Sequence, residues 1–157
     1  MNDKQTLMRR AVAISGEKMR AGEGGPFGAV VVKDGKVIGI GHNKVTSSND
    51  PTAHAEVTAI RDACQNLNTF NLQGAEIYTS CEPCPMCLSA IYWARLDRIF
   101  YANSREDAAR IGFDDAFLYD EVGKDPAARS LPMEHVEVVE AAEIFEEWDN
   151  KLDKIAY

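Results

Sequence analysis

Apolar positions along this chain follow two rhythms, one near three and a half residues and one of short unbroken runs. Between Lys4 and Arg20, Leu7, Met8, Ala11, Val12, Ser15 and Met19 fall on one stripe, which predicts an amphipathic helix with Asp3 as its N-cap. Gly22, Gly24 and Gly25 end it. Phe27–Lys33 and Lys36–Gly41 then read as two strands, with Asp34-Gly35 as the tight turn of a hairpin. After a polar loop over Asn43–Asn49, Asp50-Pro51 predicts a helix start, since proline at the first helical position needs no N–H; that helix runs to about Asn66. Glu76–Ser80 is a largely apolar and therefore interior strand. Met86–Arg95 reads as a helix and Arg98–Ala102 as a fourth strand. Short helical pieces follow near Ser104–Ile111 and Asp114–Glu121, then a fifth strand at Val136–Val139 and a final amphipathic helix over Ala141–Lys154.

Strands that alternate with helices argue for a three-layer α/β/α sandwich around one central, mixed sheet of about five strands. No linker interrupts residues 1–157, which read as one domain. Residues 140–157 form a C-terminal helix and tail whose apolar stripe (Ile144, Phe145, Trp148, Leu152 and Ile155) must pack on its own core or on a partner subunit.

Charge narrows the choice of partners. The chain carries −8 overall, but residues 1–100 hold 11 basic and 10 acidic side chains while residues 101–157 hold 6 and 15. A long polyanion needs a basic footprint, and none is evident, so a small substrate is favoured over nucleic acid. The acidic C-terminal part is readable as a solvated helix face. The longest apolar run, Ala90–Ala94, is far too short to span a bilayer, so no membrane is expected. The N-terminus lacks the pattern of a secretory signal, and the expected compartment is the cytoplasm. In that reducing environment clustered cysteines read as metal ligands before they read as disulfides.

Three of the four cysteines lie in "TSCEPCPMC", as C-x2-C-x2-C over Cys81, Cys84 and Cys87. His54-Ala55-Glu56 opens the preceding helix pattern. In an open α/β sheet, sites gather where strands end and helix N-termini point, so the two motifs can meet. His54, Cys84 and Cys87 match zinc's preference for nitrogen and sulfur donors, and three protein ligands leave the fourth position that distinguishes a catalytic site. A helix N-terminus favours the thiolates. Glu56 beside such a site is suited to shuttle a proton. One geometric condition applies. Helical residues two apart point about 200° apart, so His54 and Glu56 converge only over the N-terminal end of their helix.

H-x-E followed by P-C-x-x-C is the signature of zinc deaminases acting on nucleobases. The chain resembles the cytidine deaminase superfamily over roughly residues 5–103, through "HAE" and "PCPMC". It is similar, more narrowly, to the bacterial-type guanine deaminases through "GGPFGAVVVKDG", "NDPTAHAEVTAIR", "YTSCEPCPMCLSAIYWAR", "GFDDAF" and the terminal Tyr157. The resemblance implies a cytidine deaminase fold and one Zn2+ per chain on His54, Cys84 and Cys87. It implies Glu56 as proton shuttle and hydrolysis of guanine at C2 to xanthine and ammonia. It further implies that Asn43, Asp115 and Tyr157 contact the base, that Phe27 and Trp93 wall it, with Ala55 beside them, and that the chain forms a homodimer. Asp114 adjoins Asp115 and is the second candidate for the same role.

Plainer readings stand beside these. Asn43 serves equally as a turn residue, and Asp114 and Asp115 as helix caps. Phe27 and Trp93 are as well placed in a core, and a terminal tyrosine is often idle. Cys64 reads as a small buried hydrophobe, and His42 and His135 show no partner. Three functions compete: a guanine deaminase, a cytosine or tRNA-adenosine deaminase of the same superfamily, and a non-enzymatic zinc protein with a closed Cys81–Cys84–Cys87–His54 site. An iron–sulfur run would require a fourth cysteine where Ile91 stands.

Overall fold

A computed structural model describes residues 3–157. The first two residues of the expected 1–157 unit lie outside the described residues. Helix α1 spans Lys4–Arg20, capped by the Asp3 side chain, which accepts the Thr6 N–H. Strands β1 (Gly28–Lys33) and β2 (Lys36–His42) form the expected hairpin, with both turn residues, Asp34 and Gly35, at positive φ. A one-turn helix α2 (Val45–Ser48) precedes α3 (Ala55–Leu67). Strand β3 (Ala75–Cys81), helix α4 (Pro85–Trp93) and strand β4 (Arg98–Asn103) form a β-α-β unit. Helices α5 (Arg105–Arg110), α6 (Ala116–Gly123) and α7 (Val139–Asn150) complete the chain.

The sheet has the order β2-β1-β3-β4. β1 is antiparallel to both β2 and β3, while β3 and β4 run parallel, an arrangement that obliges a crossover, here α4. Alternation along β1 and β3 sends side chains to opposite faces. Val30, Val32 and Tyr78 meet Leu7 and Ala11 of α1 on one side. Ala29, Val31 and Ile77 meet Ala55, Ala59 and Ala63 of α3 and Ile91 of α4 on the other. The result is the three-layer sandwich expected from the pattern.

Three expectations need correction. The sheet has four strands, because Val136–Val138 pairs with no strand among the described residues, and Val139 already opens α7. The valines of this stretch favour a strand locally, but the segment is laid on neither edge strand, β2 or β4. The second long helix begins at Ala55, not at Pro51. The Asp50 carboxylate instead accepts the N–H and hydroxyl of Thr52, closing a turn that ends the helical path before it starts. The loop after Asn43 contains a turn of helix, α2.

One packing contact determines where the site forms. A Cβ on Gly41 would lie 2.1 Å from the Ala55 carbonyl oxygen, and one on Gly39 would lie 2.5 Å from that of Ala59. α3 therefore rests directly on the backbone of β2. The first turn of α3 is held against the end of the hairpin.

Candidate metal centre and substrate cavity

His54 is the N-cap of α3, with extended backbone (φ −70°, ψ 159°). It is outside the helical spiral, so the 200° separation from Glu56 does not apply, and both side chains reach one point over the helix end. Cys84 is likewise the N-cap of α4, with Pro85 in the first turn, and its sulfur accepts the Cys87 N–H. Two helix N-termini thus converge on one locus, and their partial positive charge favours anionic sulfur.

The His54 Nδ1 atom lies 3.5 Å from the sulfur of Cys84 and 3.5 Å from that of Cys87. All three donor atoms lie within 4.8 Å of one another. Tetrahedral zinc with sulfur at about 2.3 Å and nitrogen at about 2.0–2.1 Å would separate sulfur from nitrogen by roughly 3.6 Å. The donor set and its spacing fit the ion, with Nδ1 as the ligating nitrogen. Among the described residues no other histidine, cysteine or carboxylate completes this group.

The electrostatics agree. The Cys84 thiol is lowered to about 4 by the hydrogen bond from Cys87 and by His54. Its anion, together with burial, pushes the Cys87 thiol up, so the first sulfur to ionise is that of Cys84. His54 is raised, chiefly by its hydrogen bond to Cys84. Cys81 behaves differently: burial first, then Glu56, pushes its thiol up to about 11. Its sulfur is directed at the Ser104 carbonyl, 3.7 Å away, so the closed four-ligand site does not form.

Glu56 lies in the first turn of α3 and is 5% exposed. Burial raises its carboxyl above the usual carboxylate range, opposed by hydrogen bonds from Cys87 and Thr79. The Thr79 hydroxyl is 3.0 Å from Glu56 Oε1.

A cavity of about 360 Å³ opens beside these groups, within the range of small-molecule sites. His54, Glu56 and Cys84 form its floor, and Phe27, Asn43, Phe113 and Asp115 line the rest together with residues of the Val45–Pro51 loop. The rings of Phe27 and Phe113 meet edge to face, with centroids 4.9 Å apart and an interplanar angle of 88°. Asn43 Oδ1 accepts the N–H groups of Gly25 (3.3 Å) and Val45 (3.1 Å). With the oxygen engaged by the backbone, the amide's NH2 donors are the part left for a ligand. Asp115 lines the cavity with its carboxyl raised by burial and by Cys84, whereas the Asp114 carboxylate accepts the Ala116 N–H at 3.0 Å.

Not every expected residue is here. Trp93 is 62% exposed at the far end of α4, roughly 13 Å along the helix from Cys84 at 1.5 Å per residue. Its ring lies 5.9 Å from that of Tyr157, and the two share a separate hollow with Ile60, Cys64 and Phe70. Within one chain, neither Trp93 nor Tyr157 reaches the cavity. Ala55 is fully buried in the core under α3. His42, for which the sequence shows no partner, sits 2.7 Å from Glu23. Thr79 and Phe113 were missed. Phe113 could have been read from the aromatic beside Asp114-Asp115, and Thr79 from its place two residues before the cysteine run.

An open three-donor metal centre beside a buried carboxylate, at the helix ends of an α/β/α sandwich, is the donor arrangement of a zinc hydrolase. The family model for the cytidine and deoxycytidylate deaminase zinc-binding region matches residues 1–103, and the chain belongs to that family. It is 53% identical over 153 residues to a guanine deaminase of Bacillus subtilis (strain 168), covering 98% of both chains. It superposes on the X-ray structure of guanine deaminase from Bacillus subtilis with a TM-score of 0.96 at 52% identity, covering 99% of each chain. A tRNA-specific adenosine deaminase of Aquifex aeolicus (strain VF5) is 46% identical over 88 residues, 55% of this chain and 58% of the relative.

Proposed function

We propose that this protein is a zinc-dependent deaminase that hydrolyses guanine to xanthine and ammonia. The observation that carries the proposal is that the His54–Cys84–Cys87 donor set adjoins a cavity lined by His54, Cys84 and the buried Glu56, with walls suited to a flat base. The likeness to a guanine deaminase, 53% identity over 98% of the chain, supports guanine as the substrate; a tRNA:A34 deaminase structure superposes on 83% of the chain at only 33% identity and a TM-score of 0.65. A net charge of −8 also disfavours a polyanionic substrate.

The roles follow from the chemistry of the side chains. His54, Cys84 and Cys87 would hold zinc, which when bound would supply Lewis acidity for activating water. Glu56 takes one proton from the attacking water to the ring nitrogen, then moves the second, from the hydroxyl added at C2, to the amine, which leaves as ammonia. The Asn43 NH2 donates to an acceptor on the base edge. Asp115 accepts from the N–H groups that distinguish guanine. Phe27 and Phe113 enclose the faces of the ring. Zinc-loaded protein given guanine, cytosine, adenine and cytidine separately should release ammonia from guanine alone. Release from cytosine without guanine would move the assignment to a cytosine deaminase.

We also propose that residues 1–157 act as one domain, in the cytoplasm, as a homodimer. The support for the homodimer is the C-terminal segment. Helix α7 buries none of its residues, and Ile144, Phe145 and Trp148 are 60%, 80% and 46% exposed. A twelve-residue helix is marginal alone in water and needs its apolar face covered. A second copy of the chain is the natural cover, and residues 140–157 lying across it would bring Tyr157 to the partner's cavity. Deleting residues 153–157 should then lower guanine turnover while leaving the zinc content unchanged. Full activity in the truncated protein would remove the tail from the site. As for membranes, no helix among the described residues is long and apolar enough to cross one.

A further inference from the structure

Thr79 stands at a position where the packing calls for a hydrocarbon. It is 1% exposed, on a central strand, with the fully buried Ala29 opposite it on β1. Valine has nearly the same shape and would enter such a place without the cost of burying a hydroxyl. The hydroxyl has two neighbours that could repay that cost. They are Glu56 Oε1 at 3.0 Å and the Cys81 carbonyl oxygen at 2.9 Å. Both are acceptors and the hydroxyl carries one hydrogen, so they compete for it, and an ionised carboxylate is the stronger acceptor. Glu56 meanwhile sits on α3 and Thr79 on β3, so this bond ties the shuttle's carboxylate to the sheet, in addition to the hydrogen bonds it takes from its own backbone and from Cys87.

We infer that Thr79 is a positioning residue for the reaction, its hydroxyl holding one oxygen of the Glu56 carboxylate so that the group presents a single orientation to the cavity. A glutamate has three side-chain torsions, and burial alone leaves its last torsion broad. A proton shuttle must lie within hydrogen-bond reach of the atoms it serves, and small misplacement of such a group is expensive in rate. The inference rests on the deaminase reading for its kinetic consequence, but not for its structural one.

The test compares Thr79→Val, Thr79→Ser and Thr79→Ala with the parent protein, each zinc-loaded. Thr79→Val should keep one zinc per chain and lower kcat for guanine by roughly 10- to 100-fold, or about 1.4 to 2.7 kcal/mol of barrier. KM should change by less than about twofold, because the base-contacting groups are untouched. Thr79→Ser, which restores the hydroxyl, should recover most of the rate. Where Thr79→Val does not fold, Thr79→Ala carries the same expectations. In a Glu56→Gln background, Thr79→Val should have no further effect on kcat. Crystal structures give the readout that is independent of turnover. In Thr79→Val the Glu56 carboxylate should leave its parent orientation or split between two, with the α3 backbone unmoved. An unchanged carboxylate, a kcat within about twofold of the parent, or a Ser variant as impaired as the Val variant each overturns the inference. A parent protein inactive on guanine would instead defeat the substrate assignment, leaving the crystallographic comparison to decide the role of Thr79.

Discussion

Glu56→Gln abolishes most turnover while zinc remains bound at one ion per chain. The expected loss is about 10²- to 10⁴-fold, the range that a positioned general acid–base supplies. The substitution is nearly isosteric, so its effect isolates the proton. A glutamine can still accept the Thr79 hydroxyl through its oxygen, and it leaves His54, Cys84 and Cys87 untouched. What it lacks is a basic oxygen to take up a proton and an acid to return it. Glu56 suits this task because burial raises its carboxyl above the ordinary carboxylate range, which brings its proton affinity nearer to neutrality. Steady-state rates with guanine, paired with zinc analysis of the same samples, check the result. Retained turnover with full zinc would assign the proton transfer to another group, with Glu82 and Asp115 the other carboxylates that line the cavity.

The second large effect separates three cysteines that the sequence spaces evenly. Cys84→Ser and Cys87→Ser lose zinc and activity together, while Cys81→Ser keeps both. A serine hydroxyl at neutral pH offers no anionic donor, and two remaining protein ligands hold the ion poorly. The fall in affinity should exceed the roughly 10- to 100-fold cost of losing an outer partner of a ligand. Cys81 points instead at the Ser104 carbonyl, and its thiol is held up to about 11. Such a group stays protonated and donates where a ligand would have to give up its proton. Zinc stoichiometry of the three variants decides the matter. If Cys81→Ser strips the metal as thoroughly as the others, the site is closed and the hydrolytic reading fails with it.

Much of the architecture was readable from spacing alone. The α1 stripe, the Asp34-Gly35 hairpin and the β3-α4-β4 unit depend on local periodicity and turn chemistry, which a sequence displays directly. The metal donors were readable for a related reason: ligand type and spacing are local, and both motifs sit at helix starts. What escaped depends on contacts between distant segments. Asp50-Pro51 carries a helix-start signal, but Thr52 captured the Asp50 carboxylate and moved the start to His54 and Ala55. That shift is what lets His54 and Glu56 converge. Val136–Val138 has strand composition but, among the described residues, joins neither edge strand of the sheet, β2 or β4. Trp93 shares a helix with the cysteines, yet the length of that helix carries it to another face. Thr79 looked like any strand threonine until the sheet brought it under α3.

The bare backbone of Gly39 and Gly41 has a consequence for anyone who would move this chemistry elsewhere. Transplanting the two metal motifs into a different α/β scaffold would carry the ligands but not the seat on which α3 rests. A recipient strand with any side chain at those two places would lift the helix, and His54 and Glu56 would rise with it. The smallest portable unit is therefore the hairpin together with both helix starts, and two residues that touch neither metal nor base belong to the graft as firmly as the donors do.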